Sequence, residues 1–330
     1  ALHVGPASAG ADPGPVCYGK SDRLTVTDAH ALLGHLGAGR FLDGALELDL
    51  DGVARAFEKL AKRWASTPHA SALAVLSVAR ASMRRAIAVM TMQRGIDPRG
   101  VPLVAFGGAG GLHALQLARA LGMPAALVPL HPGALSALGL ATARAQSERT
   151  RTVLRPASDF TAARRAATWR ELEREVREDL RASGVGVAAC RLSRTLQLRY
   201  TGQSYDLAVP EGGDAAAVFE ASHERLYGYR LPGRAIEVVA LRLVGAEREP
   251  RALEHAKTRR RSLPPSAILG ERKVRFETGR VELARRVDRA QLVPGVEFRG
   301  PAIVEEFSAT TLVPTNARAR VTAGGHLELR

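Results

Sequence analysis

The 330 residues are enough for one large domain or two ordinary ones, and the 46% hydrophobic content favours a folded globular protein over a disordered one. No stretch reaches the roughly 18 consecutive apolar residues of a membrane span, and no charged and apolar leader opens the sequence, so we expect a cytoplasmic protein. Cys17 and Cys190 are too few for a disulfide framework or a paired-cysteine zinc site, so we expect two free thiols.

The net charge of +14 raises the question of nucleic-acid binding, because basic surfaces attract phosphate backbones. The charge is dispersed, however, and its main local cluster, residues 257–261, lies in a polar connection predicted as a linker over 249–265. Aromatic residues, which stack on bases, make up only 5% of the chain. Nucleic acid is therefore disfavoured as a partner, and an acidic partner subunit explains the charge equally well.

The first 35 residues are dominated by turns and small residues, including the Pro- and Gly-rich stretch 12–15. Natural domains usually begin with an exposed tail or a first core element. This sequence instead begins directly with a loop that looks ordered and functional. We therefore expect a segment upstream of this sequence. Apolar positions at helical spacing then predict a core-facing helix over 71–94.

An α/β arrangement follows. Residues 101–106 form a short apolar run typical of a buried strand, which leads into a glycine-rich loop at 107–111 and a helix over 112–121. The next predicted elements are a strand at 125–130, a turn, and a helix over 134–143. Strand, glycine loop, helix and strand in this order predict the α/β class.

A polar joint at 149–159 is predicted to end this part of the chain. The elements beyond it are two helices, one hairpin and several short strands, predicted at 161–183 (helix), 195–209 (hairpin), 215–227 (helix), 236–244, 273–276, 302–306 and 310–313 (strands). We therefore predict an α/β domain over 1–150 and a mixed domain with a β-rich end over 151–330.

The strongest local feature is the loop of Gly107, Gly108, Ala109, Gly110 and Gly111. Glycines let backbone N–H groups approach an anion closely, and the following helix presents its positive end to that anion. The loop lacks the Lys-Ser/Thr ending of a P-loop and the Gly-x-Gly-x-x-Gly spacing. A structural turn and a phosphate-binding loop both stay open.

Three side chains are candidates for a metal site. His113 follows the loop by two residues, where its imidazole faces a ligand or metal or packs against the sheet. Asp12 lies in a turn stiffened by proline and glycine. Asp28 is either a metal ligand or the N-cap of a helix predicted over 29–36. We expect His30 and His35 of that helix to lie on its surface. Two carboxylates and a histidine suit a divalent metal if the fold brings them together.

Five separated segments, taken in chain order, resemble the hydantoinase A/5-oxoprolinase family, which includes the corresponding subunits of acetone and acetophenone carboxylases. The segments are 5–19 (GPASAGADPGPVCYG) with 25–29 (TVTDA), 106–114 (FGGAGGLHA), 132–139 (PGALSALG), 199–205 (RYTGQSY) and 300–306 (GPAIVEE). The resemblance covers nearly the whole chain.

The resemblance implies part of an actin-like (sugar kinase/Hsp70-type) ATPase core with an added C-terminal domain. Family members use ATP to phosphorylate a lactam or carbonyl oxygen, after which a second subunit or domain opens the ring or carboxylates the product. This implies ATP and a divalent metal, Mg or similar, as cofactors. It also implies a small cyclic amide such as a hydantoin or 5-oxoproline as substrate, and a hydantoinase B-type subunit as partner.

The resemblance is to the C-terminal half of such an enzyme, because the N-terminal ATPase lobe of the family, with its acidic glycine-rich loop, has no counterpart in this sequence. That lobe is expected to complete the nucleotide cleft. The main interpretation is part of an ATP-dependent hydantoinase/5-oxoprolinase-type amidohydrolase. A subunit of an ATP-dependent ketone carboxylase and a non-catalytic assembly subunit or degenerate fragment are the alternatives.

Overall fold

A computed structural model describes residues 4–5, 7–37, 46–186, 190–247 and 261–330. Residues 257–260 of the basic cluster, and most of the predicted linker, lie outside the described residues. The described helices are α1 (Val26–Leu32), α2 (Leu50–Arg63), α3 (Pro68–Gln93), α4 (Gly110–Ala120), α5 (Leu135–Ala141), α6 (Ala162–Ala182) and α7 (Ala215–Tyr227).

The described strands are short in the first part of the chain and longer in the middle. They are β1 (Leu103–Val104), β2 (Ala126–Val128), β3 (Gln146–Pro156), β4 (Cys190–Tyr200), β5 (Leu207–Pro210), β6 (Ile236–Glu247), β7 (Ile268–Arg275), β8 (Val281–Asp288), β9 (Glu297–Arg299), β10 (Ala302–Glu306), β11 (Ala309–Val313), β12 (Arg318–Val321) and β13 (Leu327–Leu329).

The chain divides into two compact units. One combines Ala1–Leu140 with Glu254–Arg330, and the other is Ala141–Leu253. The grouping by contacts puts the end of the chain with its first part, because β13 pairs with β2. The predicted domain division at residue 150 stays a prediction.

The first unit contains two sheets. The five-stranded sheet has the order β1-β2-β13-β12-β9, and the four-stranded sheet has the order β11-β10-β8-β7. β1 pairs with β2 in parallel, and β8 pairs with β10 in parallel. Successive residues of β10 face opposite sides: Ala302 and Val304 enter one core with α4, whereas Ile303 enters a second core with α1, α2 and α3. The first three residues of β10, Ala-Ile-Val, are therefore buried on both faces of the sheet.

The second unit is an antiparallel sheet in the order β3-β6-β4-β5 with helices α6 and α7. Trp169, Leu172, Val176 and Leu180 lie on one face of α6 and are buried against the sheet. The predicted helices over 161–183 and 215–227 and the predicted hairpin are confirmed. Their periodicity was strong because one face of each element is buried.

Two local predictions were wrong. The polar joint predicted at 149–159 is mostly strand β3, whose polar side chains face solvent while its backbone pairs with β6 along its length. The buried strand predicted over 101–106 is limited to β1, a sheet edge, and Val104 and Phe106 are about half exposed. Edge strands bury less apolar surface than central ones, so their composition misled both predictions.

None of the described helices has the length and apolar character needed to cross a membrane.

Candidate functional site

The glycine loop, residues 107–111, links the carboxyl end of β1 to the amino end of α4. Gly107 has a φ of +82°, a left-handed conformation that favours glycine, and its N–H donates to the carbonyl of Pro132 at 2.8 Å. Ala109 is the N-cap of α4 and provides no side-chain cap. In the first turn of α4 the N–H groups of Gly110 and Leu112 donate to the carbonyls of Gly107 and Ala109, at 3.3 and 3.1 Å. The positive end of the helix still suits an anion.

The glycines also permit close packing against the β10–β11 hairpin. A Cβ atom on Gly108 would lie 2.8 Å from the carbonyl oxygen of Ser308, and one on Gly111 would lie 2.6 Å from that of Thr310. Both approaches are closer than real Cβ contacts. The N–H of Thr310 also donates to the carbonyl of Gly108 at 3.3 Å. Packing thus accounts for two of the glycines without any ligand.

A cavity of about 210 Å³ borders the loop at Gly108 and Ala109. Its other walls come from α1, including Thr27 and His30, and from residues 305–310 of the β10–β11 hairpin. Pockets that enclose a whole drug-sized ligand usually measure roughly 300–1,000 Å³. This cavity has room for one phosphate-sized group rather than for a complete nucleotide.

Asp28 is fully buried and joins the first turn of α1 to the preceding loop. Its carboxylate accepts hydrogen bonds from the backbone N–H groups of Val16, Cys17 and Thr25, at 3.2, 2.7 and 2.8 Å, and from the Thr25 hydroxyl at 2.8 Å. The N-cap of α1 is Thr25, and Asp28 completes a capping box with it. The predicted N-cap role of Asp28 for a helix over 29–36 was therefore wrong: the helix begins three residues earlier.

The structure does not bring Asp12, Asp28 and His113 into one ligand group. The Asp12 side chain is 82% exposed and forms an ion pair with Lys20 at 3.5 Å, whereas the oxygen atoms of Asp28 already accept four hydrogen bonds. Residues 4–5, 7–37, 46–186, 190–247 and 261–330 contain no group of three or more His, Cys, Asp or Glu side chains placed to hold a metal ion. A metal at these three residues stays a prediction.

His30 lies between two other histidine rings. Its Nδ1 is 2.8 Å from Nδ1 of His35, and its Nε2 is 3.3 Å from Nε2 of His113. The Nε2 of His35 lies 2.9 Å from the carbonyl oxygen of Arg275. We call these three buried side chains the histidine chain. The prediction of surface histidines on this helix was wrong, since His30 and His35 are 1% and 3% exposed.

One arrangement of protons satisfies the contacts of the histidine chain. A carbonyl oxygen only accepts, so the Nε2–H of His35 donates to Arg275, and the Nδ1 of His35 accepts from the Nδ1–H of His30. The Nε2 of His30 then accepts from the Nε2–H of His113. The Nδ1 of His113 is left as a buried acceptor without a hydrogen-bond partner. Because both ring nitrogens of His30 are engaged, this residue shapes the cavity wall and has no nitrogen left for a ligand.

Electrostatics keep the histidine chain neutral. Burial lowers the pKa of His35 and of His113 to about 4, and it lowers the pKa of His30 well below the ordinary value of 6.5. The positive charge of Arg80 lowers all three pKa values further. Neutral imidazoles are what the proton arrangement requires, since a doubly protonated ring cannot accept a hydrogen bond.

The turn after α1 explains why the sequence concealed this cluster. Gly34 has a φ of +78°, its N–H donates to Ala31, and the N–H of His35 donates to the carbonyl of His30 at 3.0 Å. This pair of bonds is the Schellman arrangement that ends a helix at a glycine. It folds His35 back beside His30, whereas a helix continued to residue 36 would place them on different faces. In the sequence, Gly34 after Leu33 was the available signal that the helix ends there, because glycine commonly follows the last helical residues.

Cys17 and Cys190 are free thiols, as predicted. Cys17 is fully buried, and burial followed by the charge of Asp28 raises the pKa of its thiol far above the ordinary range. A thiol that stays protonated is a poor nucleophile. The structure therefore supports the interpretation of Cys17 as a packed side chain.

Together these observations define a mixed α/β protein in which a glycine loop at a helix start borders a small cavity. A family model described as hydantoinase/oxoprolinase matches residues 1–149, and one described as the hydantoinase/oxoprolinase C-terminal domain matches residues 157–330. The chain belongs to the hydantoinase/oxoprolinase family, which confirms the prediction from its motifs.

Three relatives place the chain within the family. 5-Oxoprolinase 1 of Arabidopsis thaliana is 34% identical over 100% of this chain and 28% of its own length. The crystal structure of an ATP-dependent caprolactamase from Pseudomonas jessenii has a TM-score of 0.84 and 27% identity, covering 98% of this chain and 49% of that chain. A nucleotide-free acetone carboxylase structure has a TM-score of 0.78 and 25% identity, covering 100% of this chain and 50% of that one. This chain spans half or less of each of them.

Proposed function

We propose that this chain is part of an ATP-dependent hydantoinase/5-oxoprolinase-type enzyme that phosphorylates the oxygen of a cyclic amide before a partner opens the ring. The observation that carries the proposal is the glycine loop at the amino end of α4, beside a cavity of phosphate size. The names of the relatives, which include 5-oxoprolinase and an ATP-dependent caprolactamase, support the same reaction class.

In this proposal Gly107–Gly111 binds a phosphate group of ATP. The positive end of the α4 dipole would hold the negative charge. Phosphoryl transfer needs positioned phosphate ligands more than covalent chemistry from the protein, so a backbone cradle is an adequate contribution. ATP supplies the phosphoryl group, and the residues of this chain bind and orient it.

The divalent metal that accompanies ATP stays a prediction. Asp28 does not fit as its ligand, because the carboxylate is fully buried and its oxygen atoms already accept four hydrogen bonds. The Nε2 of His113 donates within the histidine chain and its Nδ1 has no hydrogen-bond partner, but among the described residues His113 is not part of any group of three ligand side chains. We therefore assign no step to a metal held by Asp12, Asp28 and His113.

We further propose that the nucleotide cleft is actin-like and that an N-terminal ATPase lobe and a hydantoinase B-type subunit complete the enzyme. The size of the cavity supports this, because about 210 Å³ leaves most of a nucleotide outside this chain. The caprolactamase relative named as a subunit alpha supports a multi-subunit assembly. A ketone carboxylase subunit is the second candidate, favoured by the acetone carboxylase likeness.

Replacing Ala109 with aspartate is the sharpest test of phosphate binding at the loop. Ala109 is exposed, and a carboxylate near the positive end of a helix is favourable, so helix α4 should remain folded. The same carboxylate would stand beside the cavity and repel a phosphate, and we expect ATP to bind roughly tenfold or more weakly. Isothermal titration measures the affinity, and hydrogen exchange over the first turn of α4 locates the bound phosphate.

The matched control is Ala109→Asn, which has nearly the same shape and capping ability without the charge. It should bind ATP within a few-fold of the parent chain. Equal ATP binding by the aspartate and asparagine variants would show that the phosphates do not reach this loop, and the structural-turn interpretation would then stand alone.

A further inference from the structure

A second cavity of the first unit adjoins the first one at residues 305–308, at the turn of the β10–β11 hairpin. Its volume is about 400 Å³, within the range of small-molecule sites. Three segments border it: residues 130–134 after β2, residues 288–290 at the end of β8, and residues 305–308 at the end of β10. Because β8 and β10 are parallel, their carboxyl ends share one edge of the sheet. Ligands of α/β proteins commonly bind at this edge.

The cavity is bordered by a buried arginine whose donors are mostly unused. Arg289 is 3% exposed, and its Nη2 donates to the carbonyl of Gly325. Its Nε and Nη1 are buried and have no hydrogen-bond partner. Burial lowers the pKa of Arg289, and the charge of Glu306 opposes this. A buried arginine without water or hydrogen-bond partners destabilises the fold unless a negatively charged group binds to it.

The neighbouring acids do not fully supply that negative group. Burial raises the pKa of Glu306 to about 7 against the opposing charge of Arg289, so at neutral pH Glu306 is only partly ionised. Glu305 is already paired with Arg272 and Arg286, each at 2.8 Å. The remaining acid on the cavity is Asp288, whose Oδ1 accepts the N–H of Ala290 at 3.0 Å.

We propose that this cavity binds a small oxyanion, a carboxylate or a phosphate, through the guanidinium of Arg289. Planar guanidinium groups recognise both anions through charge-assisted hydrogen bonds. Protonated Glu306 would add a donor rather than a competing charge. His131, in the turn after β2, also borders the cavity. The two cavities share residues 305–308 as lining, but Gly108 and Ala109 border only the first and Arg289 borders only the second, so anion binding at Arg289 does not require the glycine loop.

Ligand-detected NMR on the full chain tests the proposal with two probes. Inorganic phosphate is titrated by ³¹P line broadening, and 5-oxoproline by saturation transfer, with 2-pyrrolidinone as the same ring without the carboxylate. Loss of signal on removing the carboxylate would identify a carboxylate site, whereas binding of phosphate alone would identify a phosphate site. Either outcome supports an oxyanion site if Arg289→Met weakens that binding by roughly tenfold or more.

Arg289→Met breaks no hydrogen bond of Nε or Nη1, which have no partner, and loses only the bond from Nη2 to Gly325, so it should not unfold the unit. Arg280→Met is the matched control, since Arg280 is exposed and does not border the cavity. If Arg289→Met fails to fold, Glu306→Gln provides the second test: it removes the charge that competes for Arg289 and should tighten anion binding several-fold. Equal binding by the Arg289→Met and Arg280→Met variants, weaker binding by Glu306→Gln, or no binding of either probe at millimolar concentrations would overturn the proposal.

Discussion

Replacing Asp28 with alanine is expected to destabilise the first compact unit by about 3–5 kcal/mol. The carboxylate is fully buried and accepts the N–H groups of Val16, Cys17 and Thr25. Alanine would leave these donors without a partner, and each unsatisfied buried donor costs about 1–3 kcal/mol. The loss of the capping box would also weaken the start of α1.

The two tryptophans allow this effect to be measured in one unit. Trp64 packs against the core of the first unit and Trp169 lies in the core of the second, so denaturation followed by Trp64 fluorescence in a Trp169→Phe background reports on the first unit. Asp12→Ala is the matched control, because Asp12 is exposed and its replacement should change the free energy of unfolding by less than about 0.5 kcal/mol. If the two alanine variants are equally stable, Asp28 does not hold this loop to α1.

The first unit is expected to lose stability steeply as the pH falls from 6.5 towards 4. The folded-state pKa values of His35 and His113 are lowered to about 4 and that of His30 lies well below 6.5, whereas the unfolded chain protonates near 6.5. In this window the unfolded state binds more protons, so the stability present above pH 6.5 is lost on acidification. Three protons correspond to a slope approaching about 4 kcal/mol per pH unit.

Denaturation of the first unit at several pH values between 7.5 and 5 measures this slope. His113→Gln is the informative variant, because the glutamine amide can still donate to His30 but does not titrate. We expect its slope to be shallower by about one proton, or about 1.4 kcal/mol per pH unit. A free energy of unfolding that is flat from pH 7.5 to 5 would show that the three rings are not buried as neutral imidazoles.

Sequence patterns predicted the elements whose faces are buried and missed the contacts between distant segments. Helix α6 and the β4–β5 hairpin follow from apolar spacing, because each element buries one face within a short stretch of chain. Strand β3 was missed because its exposed side chains are polar and its stability comes from pairing with β6, about 90 residues away. Local composition does not contain that information.

In the candidate site too, local features were predictable from the sequence and contacts between distant residues were not. The glycine loop was identified from its residues, and its position at the start of α4 follows from the neighbouring strand and helix patterns. Its packing against Ser308 and Thr310 was not predictable, since these residues are nearly 200 positions away. The unpaired guanidinium of Arg289 was missed for a related reason: nothing in the sequence distinguishes this buried arginine from the many exposed ones.

ATP-dependent ring opening of 5-oxoproline and of hydantoin should be measured for this chain alone and with an N-terminal ATPase lobe and a B-type subunit added. We expect weak or no activity from the chain alone, because in the proposed assembly this chain provides only one wall of the nucleotide cleft, which cannot exclude water or contact all the phosphates. We expect activity in the complete mixture and its loss with Ala109→Asp. Robust turnover by the chain alone, or a stable complete complex that hydrolyses neither substrate and no ATP, would contradict its role as the phosphate-binding part of such an enzyme.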